Sequence, residues 1–210
     1  MPAPVKNQTL FDLSGGHPAL DLVNSLDNRF RADGPNENLV RYSDLLRFLN
    51  ETSLLDSQKT RLLDKSASHT AATADQVLRQ VKDLREATAE VFYAAMEERT
   101  PPPAAIKTLE GYFRAATRHR ELRWDNQHNH MTWTWDPQAE TDPNLPLWLL
   151  AQAVSDILLS QDATRVKTCA VDTCRWLFLD TSKNHTRRWC NMKVCGNRMK
   201  ARRFQARHDS

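Results

Sequence analysis

The sequence predicts a mainly α-helical domain followed by a small cysteine-containing module. Three observations support this: apolar residues recur every three or four positions in most of residues 1–160, all four cysteines lie in residues 161–210, and the charge changes sign between these parts. Residues 1–160 contain 17 Lys and Arg against 22 Asp and Glu, whereas residues 161–210 contain 12 against 4. We therefore divide the chain into domains 1–163 and 164–210, and expect the second to contact a polyanion.

The apolar spacing predicts six helices in the first domain, at about residues 18–28, 39–50, 57–65, 74–98, 103–120 and 146–160. Prolines 101–103 end the fourth helix, because proline lacks an N–H group and restricts the residue before it. In the first helix, Leu20 and Val23 are predicted to be buried, and the opposite polar side to be solvated. No apolar run reaches the ~18–20 residues that a membrane helix needs, so we expect a cytoplasmic protein without a membrane partner.

One segment of the first domain reads as a β-hairpin. Residues 121–124 and 131–135 alternate between apolar and polar, and residues 125–130 have turn chemistry. The simpler interpretation is a hairpin packed on the helices. The alternative is that its tryptophans and the polar side of the first helix enclose a small-molecule effector, since pockets combine apolar walls with a few polar groups. The candidate ligand-binding residues are Asp21, Asn24, Arg29, Trp124, Trp133 and Trp135.

The cysteines form two short pairs, Cys169-x4-Cys174 and Cys190-x4-Cys195. Each pair can supply two corners of a tetrahedron of thiolates, which suits one structural Zn²⁺. Disulfides are disfavoured because the cell interior keeps thiols reduced, while an iron–sulfur cluster remains an alternative. His185 is a fifth candidate ligand, although two complete pairs leave no vacancy for it.

The segments around the cysteines are typical of a treble-clef-like zinc finger. Residues 175–180 alternate and predict a strand, residues 181–184 a turn, and residues 187–189 a returning strand. Asn191 is a predicted N-cap of a helix over residues 192–207.

This helix and the segment before it are rich in cations, which indicates nucleic-acid binding, although a merely solvated face is the alternative. We expect Arg187 and Arg188 to clamp phosphates, and Arg198 and Arg202, one turn apart, to contact base edges of double-stranded DNA. The full set of candidate DNA contacts is Arg187, Arg188, Arg198, Lys200, Arg202, Arg203 and Arg207.

Two motifs resemble known families. The run Cys195-Gly196-Asn197-Arg198 is the signature of CGNR zinc fingers, and Arg187-Arg188-Trp189-Cys190 leads into it as in that family. The run 20–25, Leu-Asp-Leu-Val-Asn-Ser, followed by Arg29, resembles the N-terminal motif of the ABATE domain, with Ser25 where threonine is more usual. The resemblance implies a bacterial transcription regulator, with an α-rich sensing domain that contains a hairpin and a C-terminal zinc finger that binds DNA.

Together these features predict a one-component, zinc-dependent transcription regulator on the nucleoid that responds to a small-molecule effector. We expect a homodimer, because one short finger touches few base pairs and twofold dimers are the commonest oligomers. An RNA-binding or ribosome-associated zinc protein is the main alternative, and a scaffold is another. We expect no enzyme, since the sequence has no Gly-rich nucleotide loop, HExxH motif or nucleophile elbow, and a four-thiolate zinc has no open position.

Overall fold

The protein is described by a computed structural model that covers residues 11–67 and 70–208, and the mainly α-helical fold class is confirmed. The helices within these residues are α1 (Pro18–Asn24), α2 (Tyr42–Glu51), α3 (Ser57–Ala67), α4 (Ala71–Met96), α5 (Pro103–Thr117), α6 (Leu145–Leu158) and α7 (Asn197–His208). The strands form three antiparallel pairs, β1 (Leu26–Asp27) with β2 (Asn36–Glu37), β3 (Arg120–Asp125) with β4 (His130–Trp135), and β5 (Val166–Thr168) with β6 (Leu177–Leu179). Within the described residues, no helix is both long and apolar enough to cross a membrane.

The long helix α4 organises the first domain, because α1, α2, α5 and α6 all pack against it. Its buried side includes Val77, Val81 and Leu84, which follow the spacing that predicted the helix. Pro102 separates α4 from α5, and Pro103 occupies the first turn of α5, where its missing N–H costs no hydrogen bond. The predicted β3–β4 hairpin is present and connects α5 to α6 through a short 3₁₀ turn.

The first helix differs from its prediction in length and environment. It ends at Asn24, four residues earlier than expected, and the chain turns into β1. Its polar side was expected to be solvated, but Asp21, Asn24 and Ser25 are only 5%, 3% and 2% exposed. The prediction was wrong because α4, α6 and β6 all pack on α1, so that this helix has buried residues on every side.

The strand pairing of the cysteine module also differs from the prediction. β6 pairs with β5, the strand before the first cysteine pair, with Val166 opposite Leu179 and Thr168 opposite Leu177. The expected strand at 187–189 is not formed; its Arg187 side chain bonds to surrounding carbonyls instead. Since Val166, Leu177 and Leu179 belong to the core of the first domain, the β5–β6 hairpin joins the two parts of the molecule.

Candidate metal centre and nucleic-acid interface

The four cysteine sulfurs converge on one point. All four Sγ atoms lie within 4.8 Å of one another, and Sγ of Cys190 is 3.7 Å from those of Cys174 and Cys195. A tetrahedral zinc with Zn–S bonds of about 2.3 Å places its sulfurs about 3.8 Å apart. The donor set of Cys169, Cys174, Cys190 and Cys195 therefore fits one structural Zn²⁺, as the spacing predicted.

Tight backbone turns bring each pair of sulfurs together. Cys169 and Cys174 lie in the connection between β5 and β6, where the Cys169 N–H donates to the Trp176 carbonyl at 2.8 Å. Cys195 lies in a π-type turn, Met192–Gly196, that precedes α7. The Asn191 side chain caps this turn by accepting from the Lys193 N–H at 2.9 Å, so the predicted N-cap is confirmed.

The thiols perturb one another strongly. Hydrogen bonds from Cys174 and Cys190 lower the pKa of the Cys169 thiol to about 2. The hydrogen bond with Cys169 in turn raises the pKa of Cys174 to about 12. Hydrogen bonds with Cys169 and Cys174 raise the pKa of Cys190. Four thiolates at this distance require a cation to balance their charge, which Zn²⁺ supplies when bound. His185 is not part of the cluster, since its Nδ1 lies 3.2 Å from the Asp180 carbonyl.

The cysteine module is fixed to α1 by a buried asparagine. The Asn24 side chain donates from Nδ2 to the Leu177 carbonyl at 2.9 Å and accepts the Leu177 N–H at Oδ1, also at 2.9 Å. Next to it, the Leu179 N–H donates to the Gly15 carbonyl at 2.8 Å. The first helix thus holds the strand β6 in register. Asn24, which was predicted to bind a ligand, makes two of these contacts.

The cysteine turn itself is held from two sides of the first domain. The Trp176 Nε1–H donates to Asp27 at 2.9 Å, and the Arg175 guanidinium pairs with Glu97 at 2.8 Å while lying 4.4 Å from the Phe30 ring centre. The Tyr93 hydroxyl donates to the Arg175 carbonyl at 3.1 Å. The finger and the helical domain are therefore packed as one unit, and sequence reasoning missed these partners because they lie more than 70 positions apart.

Arg187 is not available as a phosphate clamp, contrary to the prediction. Its guanidinium donates to the carbonyls of Trp189 at 3.0 Å, Leu179 at 3.3 Å and Ser14 at 3.0 Å, and also to that of Cys190. It stacks 4.3 Å from the Phe178 ring centre. These contacts use the donors of the guanidinium inside the protein, so Arg187 joins the finger to the N-terminal turn at Ser14 instead.

Other predicted DNA contacts point to solvent. Arg188, Lys200 and Arg202 are exposed, and the Arg188 guanidinium lies 5.7 Å from the Trp189 ring centre. Arg198 is half-buried and lines a cavity of about 300 Å³ beside Cys174. The backbone of Arg203 and Arg207 continues α7, while their side chains lie outside the described part of the structure.

The polar members of the predicted effector pocket have other partners. Asp21 accepts the Gly15 N–H at 2.8 Å, and burial raises its pKa to about 7. Asn24 binds Leu177, and Arg29 forms an ion pair with Glu86. These contacts occupy the groups that were expected to meet a ligand.

The tryptophans of the hairpin lie elsewhere. Trp124 and Trp133 are 55% and 54% exposed, and Trp135 packs against the core. The Arg120 guanidinium lies 5.5 Å from the Trp133 ring centre and 5.6 Å from that of Trp135. In the described part of the chain, the two groups of residues thus meet different neighbours, which does not support the predicted pocket.

The fold and the site define a class of protein in which a zinc finger with four cysteine ligands is packed on the first helix of an α-helical domain. Residues 16–161 match the ABATE family, described as "Putative stress-induced transcription regulator", and residues 165–208 match the CGNR zinc finger. The chain belongs to the ABATE family and carries a C-terminal CGNR zinc finger, as the sequence motifs indicated. Neither is a family of enzymes. A comparison with curated proteins gave no match.

Proposed function

We propose that this protein is a transcription regulator whose zinc finger presents α7 to double-stranded DNA. The observation that supports this is a difference in environment among the cations of the finger. Lys167, Arg175 and Arg187 are paired within the protein, whereas Arg188, Lys200 and Arg202 face solvent. From residue 200 onward, the described side chains of α7 are all exposed. An exposed helical surface with this charge is suited to a polyanionic groove.

The outward cations would act in two ways. Contacts of Arg188 and Lys200 with phosphates would provide sequence-independent affinity. Arg202 is four residues after Arg198, on the same side of α7, and these two are the proposed contacts to base edges. Because Arg198 also lines the cavity beside the metal centre, its position depends on the fold of the finger.

A competition experiment tests this function. Zinc-loaded protein is bound to a fluorescent duplex, and unlabelled duplex DNA or structured RNA of equal length is added as competitor. We expect DNA to compete better, and Arg202→Ala to lose affinity by a factor of about 5 to 150 on the preferred site, since one good base contact contributes about 1–3 kcal/mol. Lys183→Ala is the control, because it removes an exposed finger cation that lies outside α7. Preference for RNA would support the ribosome-associated alternative, and equal loss in both variants would remove α7 from the interface.

We further propose that the regulator acts as a homodimer joined through the β3–β4 hairpin. The register places Leu122 opposite Trp133 and Trp124 opposite Met131, so that four apolar side chains share one face. Each is about half exposed, which leaves roughly 400 Å² of apolar surface per copy. Two such faces together approach the size of a weak interface, and the match of a mainly apolar face to itself favours a second copy as the occupant.

Light scattering over a concentration series tests the dimer. We expect a monomer–dimer equilibrium in the micromolar range that Trp124→Ser weakens. Leu62→Ser, at a half-exposed leucine on α3, is the matched control and should leave the equilibrium unchanged. A monomer at all concentrations would contradict the proposal.

In this scheme the α-rich domain senses a small molecule and the regulator acts on the nucleoid in the cytoplasm. We assign it no catalytic activity, because a zinc held by four thiolates has no open coordination position for a substrate.

A further inference from the structure

The outer side of the helical domain contains an apolar groove that the finger does not cover. Its cavity measures about 750 Å³ and lies between α4, α5 and α6. Val91, Leu109, Phe113 and Leu158 form its floor. This volume falls in the range of small-molecule sites, which are concave and mostly apolar.

The rim of the groove remains open to solvent. Ile106 is 51% exposed and Leu159 is 80% exposed, although both border the cavity. Large apolar side chains at the mouth of a concave surface extend the area that an apolar ligand can cover.

One end of the groove carries positive charge. Arg114 and Arg118 line it, and both lie in the last turn and C-cap of α5. Arg114 is paired with Glu110 at 2.6 Å, whereas Arg118 is exposed and has no ion-pair partner within residues 11–67 and 70–208. A ligand with an apolar body and one anionic group would match both features.

The groove lies directly before the zinc finger in the chain. Leu158 ends α6, a 3₁₀ turn over Gln161–Arg165 follows, and β5 then leads into Cys169. A ligand that contacts Leu158 and Leu159 therefore touches the helix end from which the finger emerges, only ten positions before the first zinc ligand.

We propose that this groove binds an amphipathic organic anion, with its apolar part on Leu109 and Phe113 and its carboxylate at Arg118, and that occupancy changes the DNA affinity of the finger. The second half of this proposal rests on the DNA-binding function proposed above. By linkage, such a ligand acts only if it binds the DNA-competent and incompetent states unequally.

Decanoate serves as the probe, and decanol serves as its uncharged counterpart. Calorimetry on the zinc-loaded full chain should show that both bind. Arg118→Gln should weaken decanoate by roughly tenfold and leave decanol unchanged, because it removes only the charge-assisted contact. Arg123→Gln, at an exposed arginine of the hairpin, is the control and should bind both ligands as the unmodified protein does.

Ile106→Asp should abolish binding of both ligands, whereas Leu62→Asp, at another half-exposed helical position, should preserve it. Equal decanoate binding by Ile106→Asp would overturn the site. A change in molar mass of Ile106→Asp by light scattering would also overturn it, because the groove would then be an interface between copies.

The regulatory half has a separate readout. Decanoate at saturation should change the affinity for duplex DNA at least threefold in the unmodified protein and leave it unchanged in Ile106→Asp. Decanoate binding without any change in DNA affinity would refute the groove as an effector site. Failure to bind DNA under all conditions would refute the proposed function instead, while the calorimetric comparison would still decide whether the groove is a ligand site.

Discussion

At the scale of single residues, neighbouring side chains of the same type have different environments. Arg187 is half-buried and bonded to four carbonyls, while Arg188 is exposed. The sequence motif treats them alike, because nothing local distinguishes two adjacent arginines. The partner at Ser14 is 173 positions away, so only the tertiary structure separates the structural arginine from the one available to DNA.

This difference predicts opposite phenotypes. Arg187→Ala should destabilise the fold by about 2–3 kcal/mol, since several carbonyls lose a charged donor. This corresponds to a fall in Tm of roughly 4–12 °C for a chain of this size. Arg188→Ala should leave Tm unchanged and weaken DNA binding on all sequences. Calorimetry and DNA titration on the two variants check this, and a lower Tm in Arg188→Ala alone would reverse the assignment.

Asp21 is a buried carboxyl whose protonation should be visible in the pH dependence of stability. Burial raises its pKa to about 7. The hydrogen bond from the Gly15 N–H lowers the pKa, whereas the negative charge of Asp12 raises it. In the unfolded chain the same carboxyl titrates near pH 4 (about 3.9). Between these values the folded state binds more protons than the unfolded state. The contribution of Asp21 to the free energy of unfolding therefore falls as the pH rises from about 4 to 7.

The substitution Asp21→Asn tests this directly. The amide oxygen can still accept the Gly15 N–H, and no charge is buried at high pH. We expect the variant to be more stable than the unmodified protein at pH 8 and to lose less stability between pH 5 and pH 7. Asp33→Asn, at an exposed aspartate, is the control. Identical pH profiles for Asp21→Asn and the unmodified protein would show that Asp21 ionises normally.

At the scale of elements, the polar side of α1 is buried although its sequence pattern predicts exposure to solvent. Its alternation of polar and apolar residues is that of a surface helix, and the structure covers it on all sides. The polar stripe is buried because Asn24 completes the hydrogen bonding of β6 at Leu177. The helix and its apolar positions could be predicted from spacing, but its buried hydrogen-bond partner belongs to a strand more than 150 residues later.

Asn24→Ala should therefore loosen the finger from the helical domain. Both the N–H and the carbonyl of Leu177 lose their partner in a buried position, at a cost of about 2–4 kcal/mol. Hydrogen exchange should accelerate in β6 and in the cysteine turns. Asn36→Ala removes an exposed asparagine and should change neither stability nor exchange. Unchanged protection of Leu177 in Asn24→Ala would contradict the docking role.

The cysteine module could be predicted further than the rest of the chain. The four ligands are close in sequence and of one chemical type, so spacing alone indicated their common purpose. The pairing of β6 with β5 was missed because residues 187–189 resemble a strand in sequence, whereas the Arg187 side chain bonds to nearby backbone carbonyls. The partners of Asp21 and Asn24 were not predicted, because the burial of these side chains depends on the packing around α1 and has no signature in the local sequence.

At the scale of the whole molecule, the zinc finger and the helical domain share a core. Val166, Leu177 and Leu179 of the β5–β6 hairpin pack with residues of α1 and α4, so that the metal centre stabilises more than its own turns. Trp176, Arg175 and Arg187 add polar contacts across the same boundary. A change at the metal should therefore be transmitted to the helical domain.

Removal of zinc tests this coupling. Chelation should lower the unfolding temperature monitored by helical circular dichroism by roughly 5 °C or more, because bound metal stabilises the folded state by linkage. Readdition of one equivalent of Zn²⁺ should restore it. Cys174→Ser should behave like the chelated protein and should not respond to added zinc. An unchanged helical transition after complete removal of zinc would mean that the finger folds independently of the domain.

The central claim is that the exposed cations of α7 contact DNA while the half-buried Arg187 holds the finger in place. The salt dependence of duplex binding tests it most directly, because log K falls with log[salt] by about 0.9 for each phosphate contact. We predict that Lys200→Ala, which removes one proposed phosphate contact of α7, has a slope smaller in magnitude by about 0.9 than that of the unmodified protein, and that Lys183→Ala retains the full slope. Equal slopes in all three proteins, or no binding to duplex DNA at low salt, would contradict the account.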